Sequence, residues 1–128
     1  MTYYFARQLS CGFDEAIART TEALQKAGFG IITEIDVTAT LKKKIGADFR
    51  NYRILGACNP TIAHEALKIE DKIGTMLPCN VIVQDIGGGQ VEVAAIDPVA
   101  SMQAVANPAL REPATRVQAM LKKVVDTL

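Results

Sequence analysis

The chain lacks an excess of charge of either sign: 14 Lys and Arg balance 14 Asp and Glu. The balance is also local, with 8 basic and 6 acidic residues in 1–64 and 6 and 8 in 65–128. No basic stripe is present that would hold nucleic acid or an anionic membrane surface. Histidine occurs once, as His64, and cysteine three times, as Cys11, Cys58 and Cys79. So few thiols, odd in number, do not make a disulfide framework. Without a Cys-x-x-Cys or a second His there is no paired metal-ligand spacing. No apolar run approaches the ~20 residues that cross a bilayer. Arg7 stands where a signal peptide would carry its apolar stretch, so the sequence reads as a cytoplasmic protein. Low-complexity tracts, internal repeats and interdomain linkers are missing as well.

What remains is an ordinary globular composition. The 128 residues fit a single domain, 1–128, and leave no room for a second. Hydrophobic residues make up 49% and charged residues 22%, which excludes a disordered chain. A domain of this size buries roughly two thirds of its unfolded surface and holds a core without disulfide or metal.

Periodicity then orders the chain. Tyr3–Leu9 reads as a first strand. Over 13–27, Phe13, Ala16, Ile17, Thr20, Leu24 and Ala27 fall on one helical stripe, with Gly28 as the stop. The β-branched run 30–36 is a second strand. Residues 37–48 read as a connection with about one helical turn, and 50–58 as a third strand. Asn59 followed by Pro60 predicts a capped helix over 60–70, and a loop over 71–78 precedes a fourth strand, 79–85. Gly87-Gly88-Gly89 turns it into a fifth strand, 90–96. Asp97-Pro98 and Asn107-Pro108 predict two short turns, and a last helix over 113–127 presents Ala114, Val117, Met120, Leu121, Val124, Val125 and Leu128 on one face. The expected fold is α+β: a five-stranded, mainly antiparallel sheet with two long helices on one face.

Three segments carry a family likeness: Ile45-Gly46-Ala47-Asp48-Phe49-Arg50, Tyr52 to Pro60, and Leu77-Pro78-Cys79-Asn80-Val81. Through them the sequence resembles the bacterial and archaeal family called domain of unknown function 302, over almost the whole chain. The resemblance implies a TBP-like topology, β-α-β-β-(short α)-β-β-α, and homodimers, and it implies no established activity. The helix over 60–70 rises ~16 Å and residues 71–78 span up to ~26 Å if extended. The connection is therefore long enough to return to the end of the sheet it left. In that arrangement strands three and four are antiparallel and Cys58 and Cys79 meet at one end, with Cys11 apart. A parallel crossover would separate them by a strand length, and the resemblance favours the antiparallel return.

Cys58-Asn59 and Cys79-Asn80 are the one doubled polar feature. Cys58 precedes a helix N-terminus, where free amides and the helix dipole favour a thiolate. Two such thiols would be placed to form a disulfide, carry sulfur or bind a soft metal. The plainer reading is that free cysteines are buried small hydrophobes, with Asn59 a cap and Asn80 a turn-side hydrogen bonder. His64 falls on the polar side of its helix beside Lys68, as a surface histidine does, and apart from Glu65, its neighbour in sequence, no carboxylate stands out to orient it as a base for Cys58. Met76 reads as packing, Lys42-Lys43-Lys44 as a solvated face, and Asp97 as a cap. Gly87-Gly88-Gly89 lacks the helix and lysine of a phosphate loop.

The leading functional reading is a small homodimeric binding module of unknown ligand and cofactor, with Cys58, Asn59, Cys79, Asn80 and His64 as candidate ligand-binding residues. The alternatives are a thiol redox or sulfur-handling protein using Cys58 and Cys79, and a metal or haem binder through the same residues with His64. No nucleophile, base and orienting group assemble from the motifs into a catalytic set, so an enzyme is the least supported class.

Overall fold

The computed structural model describes residues 2–128. Strands β1 (Tyr4–Leu9), β2 (Gly30–Asp36), β3 (Tyr52–Cys58), β4 (Cys79–Gly87) and β5 (Gln90–Ile96) form one sheet in the order β1-β5-β4-β3-β2. Every neighbouring pair is antiparallel. The first two strands are thus the two edges. The helix between them, α1 (Phe13–Lys26), crosses the face of the sheet and touches β4 and β5 on the way. The last helix, α5 (Arg111–Asp126), packs on α1, β1 and β5. Both long helices therefore cover the same face, as their single apolar stripes require.

Strand alternation sorts the side chains. Leu9, Leu55, Ala57, Val81, Val83, Val91, Val93 and Ala95 are buried beneath the helices. They meet Ala16 and Leu24 of α1 and Val117, Leu121, Val124 and Val125 of α5 in one core. The Thr20 hydroxyl, fully buried in the α1 stripe, donates to the Ala16 carbonyl at 2.7 Å, which removes the cost of burying it. A satellite core of Ala66, Ile73 and Leu110, with Leu77, Met102 and Val105 against it, lies under the connecting segments.

Two segments depart from the sequence reading. Residues 37–48 were expected to hold about one helical turn; α2 (Val37–Ile45) is a nine-residue helix. The Asp36 carboxylate accepts from Ala39 N at its start, and Gly46, at φ 67°, ends it in the left-handed conformation. None of its residues is fully buried, so it has no strong apolar stripe to announce it. Residues 71–78, expected as loop, contain a 3-10 helix over Asp71–Met76 that is anchored by buried Ile73. The remaining short elements stand close to where the Asn-Pro and Asp-Pro pairs put them: α3 (Pro60–Ile69), α4 (Pro98–Ser101) and a 3-10 turn at Pro108–Leu110. Gly88 and Gly89 have φ of 63° and 75°, the pair of positive angles that a two-residue hairpin turn needs.

Candidate functional site

At the end of the sheet where β3 stops and β4 starts, the main core and the satellite core do not close on each other. Between them lies a cavity of about 270 Å³. Phe29, Ala57, Ile62 and Val117 wall it from the main core, and Ala66, Leu110, Leu77 and Met102 from the satellite. No Asp, Glu, Lys, Arg or His is among its lining residues.

Local sequence chemistry positions each wall. Asn59 Oδ1 accepts from Ile62 N at 3.1 Å and starts α3, with Pro60 supplying a first-turn residue that needs no amide partner. Glu65 of α3 pairs with Arg116 of α5, which also pairs with Glu112 at 2.8 Å. Asp97 caps α4 through Val99 N at 3.0 Å and accepts from Gln118 Nε2 of α5 at 3.0 Å. These contacts hold α3 and α4 against α5 and leave the space between them unfilled. Small residues, Ala63, Ala66 and Ala114, face it.

Cys58, Asn59 and Cys79 all line this cavity. Ala57 stands directly across the β3–β4 ladder from Cys79, so the two thiols are on adjacent positions of neighbouring strands. Both are free and half-buried. Burial, and then the proximity of Cys58, push the Cys79 thiol up to about 11 from 9.0. At neutral pH Cys79 is a neutral thiol, which opposes the thiolate character a reactive or metal-binding cysteine needs. Cys11 follows β1, whose Leu9 pairs with Val91 at the other end of the sheet.

Two other candidate residues lie elsewhere. Asn80 is exposed and opposite Gly56, on the face of the sheet away from the helices. His64 is exposed on α3 and is not among the cavity residues. Met76 is 37% exposed, and Lys42 pairs with Asp48 at 2.9 Å on the solvated side of α2. Among the described residues no group of three His, Cys, Asp or Glu is placed to hold a metal ion, and no helix is long and apolar enough to cross a membrane.

The uncovered face of the sheet has its own pattern. Ile35, Ile54, Ile82, Ala94 and Ala6 form one row across all five strands. A shallow hollow of about 350 Å³ beside it is bordered by Tyr3, Tyr4 and Tyr52 and carries Gln84 and Glu92. Gln84 Nε2 donates to Glu92 at 3.0 Å, and its Oε1 accepts from Arg50 Nε at 2.9 Å.

The model of the family described as domain of unknown function DUF302 matches residues 5–128. The chain belongs to the DUF302 family. The crystal structure of an uncharacterized conserved protein DUF302 from Bacillus stearothermophilus is similar to it throughout, with a TM-score of 0.90, 30% identity and 98% of each chain covered. No curated protein matches the chain. The DUF302 assignment agrees with the five-stranded α+β architecture and leaves the activity open. The cavity residues from 98 to 117 were missed in the sequence because each reads as helix core or connecting turn. Only the packing of α5 on α3 shows that they face a space.

Proposed function

We propose that this DUF302 chain is a small-molecule-binding module that takes an apolar ligand into the cavity between α3, α5 and the Cys58–Cys79 end of the sheet. The carrying observation is an apolar cavity of about 270 Å³ that the protein's own side chains leave unfilled. An apolar cavity of ~150 Å³ stays dry and binds benzene. By proportion this one suits a molecule of ~11 non-hydrogen atoms. Cys58 and Cys79 serve as wall rather than as reagents, a reading supported by the raised Cys79 thiol.

The same proposal includes a homodimer, supported by the apolar row of Ile35, Ile54 and Ile82 on the uncovered face. Light scattering at micromolar concentration is expected to give twice 13.8 kDa; a mass of 13.8 kDa removes the dimer. The binding reading is tested with tetralin, a bicyclic hydrocarbon of the size the cavity suits. Saturating tetralin is expected to raise the unfolding temperature of the native protein. An unchanged unfolding temperature, with no binding heat, refutes it.

A further inference from the structure

We infer that the cavity takes an unbranched alkyl chain by one end, and that the chain's polar group stays outside, beyond a mouth formed by Ile32 and Leu67. The inference rests on the cavity being the binding site and adds its entrance and the class of its occupant, a single-chain amphiphile.

Exposure locates the mouth. Of the residues that line the cavity, Ile32 is 60% exposed and Leu67 41% exposed. Every other lining residue is buried or half-buried. A side chain that borders a cavity and also meets solvent stands at its opening, so the cavity opens between the edge strand β2 and α3. On the side of α4 and α5 it is closed by Pro98, Leu110, Pro113, Ala114 and Val117, all of them buried.

A β-bulge builds the first lip. Ile31 stands opposite Ala57 and Thr33 opposite Gly56, which leaves Ile32 as the extra residue between them. Strict alternation would send residues 31 and 32 to opposite faces of the sheet. Instead Ile31 packs against the main core and Ile32 borders the cavity together with Ala57. Gly56 makes room for the bulge: Thr33 lies over it, and an added Cβ there would stand 2.0 Å from Thr33 Oγ1. Leu67 is the second lip, one turn beyond Ala63 on the cavity side of α3.

Wall and lips together fix the occupant. No charged side chain lines the cavity, and a polar group carried deep into it would lose its water with little to replace it. An exposed isoleucine and leucine gain from being covered by further hydrocarbon. The ligand is therefore apolar from the closed end to the lips and polar only past them. The interior holds ~11 non-hydrogen atoms, so a chain that also spans the lips is about as long as a dodecyl group.

The test is calorimetry on the native protein with tetralin, dodecan-1-ol and dodecan-6-ol. The two alcohols have the same atoms and differ only in where the hydroxyl sits. Wild type is expected to bind dodecan-1-ol roughly tenfold more tightly than dodecan-6-ol, whose hydroxyl has to enter the cavity. Ile32→Gln and Leu67→Gln each make one lip polar at an exposed position. Each is expected to weaken dodecan-1-ol about fivefold, and to weaken tetralin, which lies inside the lips, by less. Ile86→Gln, at an isoleucine 41% exposed and outside the cavity, is expected to change neither. Binding of tetralin with equal affinity for the two alcohols overturns the inference and leaves the cavity reading intact. Lip variants that weaken dodecan-1-ol and tetralin alike, or weaken neither, overturn the role of Ile32 and Leu67. Failure of tetralin and both alcohols to bind removes the inference together with the reading beneath it.

Discussion

Filling the cavity from within separates an unfilled space from a close-packed core. Ala66 on α3 is 6% exposed and lines the cavity. Ala66→Leu adds three carbons, each worth ~0.8 kcal/mol when buried. Ordering the leucine side chain costs ~0.5–1 kcal/mol, and leucine is nearly as good a helix former as alanine. The net expectation is a gain of about 1.5 kcal/mol. For a chain of 128 residues that is a rise of roughly 5 °C in Tm. The same substitution in a close-packed core loses ~1–3 kcal/mol through strain, so the two cases differ in sign. Urea unfolding of wild type and Ala66→Leu gives the stability change, and tetralin titration of both gives the binding change. Higher stability with lost tetralin binding is expected. Lower stability, with an unchanged slope against urea, refutes the claim that the space is empty and accessible.

Cys79 makes stability pH-dependent in the alkaline range. Below pH 9 both states hold the thiol proton; from 9.0 to about 11 the unfolded chain releases it and the native state does not, so stability falls as pH rises. The loss is of order 2 kcal/mol and is expected to disappear from urea curves of Cys79→Ala between pH 8 and 11. Iodoacetamide at pH 8 is expected to label Cys79 about a hundredfold more slowly than a free thiol, because so little thiolate is present. Gly56→Ala puts a Cβ into Thr33 Oγ1 and Pro78 Cγ and is expected to cost about 1–3 kcal/mol; Thr33→Ala in the same chain returns part of it, read as a coupling energy in a double-mutant cycle. Asp97→Ala removes the acceptor of Val99 N and of Gln118 Nε2 and is expected to cost about 1–2 kcal/mol by thermal unfolding.

The sheet and the long helices were legible because their signals are local. The stripes of 13–27 and 113–127 and the alternation of 81–85 and 91–95 each name their own buried face. The Asn59-Pro60 and Asp97-Pro98 pairs named their helix starts. The position of Cys58 and Cys79 at one end followed from chain length and from the family likeness together. What local signals do not contain is the distance between elements. Ala66 and Ala114 read as ordinary core alanines, and the sequence has no mark that they border a space rather than each other. Asn59 and Asn80 look alike beside their cysteines; alternation along β4 sends Asn80 to the uncovered face, while Asn59 leaves β3 into the cavity wall. The α2 helix escaped because its face is not buried, and periodicity reports burial.

Chemical-shift mapping of the amide-labelled protein during a tetralin titration shows where the hydrocarbon binds. Saturable shifts are expected only at residues around the cavity, foremost Phe29, Ala57, Cys58, Ala66, Ala114 and Val117. Shifts concentrated instead on the uncovered face, at Tyr4, Ile82 and Ala94, would contradict this and move the binding site to the other side of the sheet.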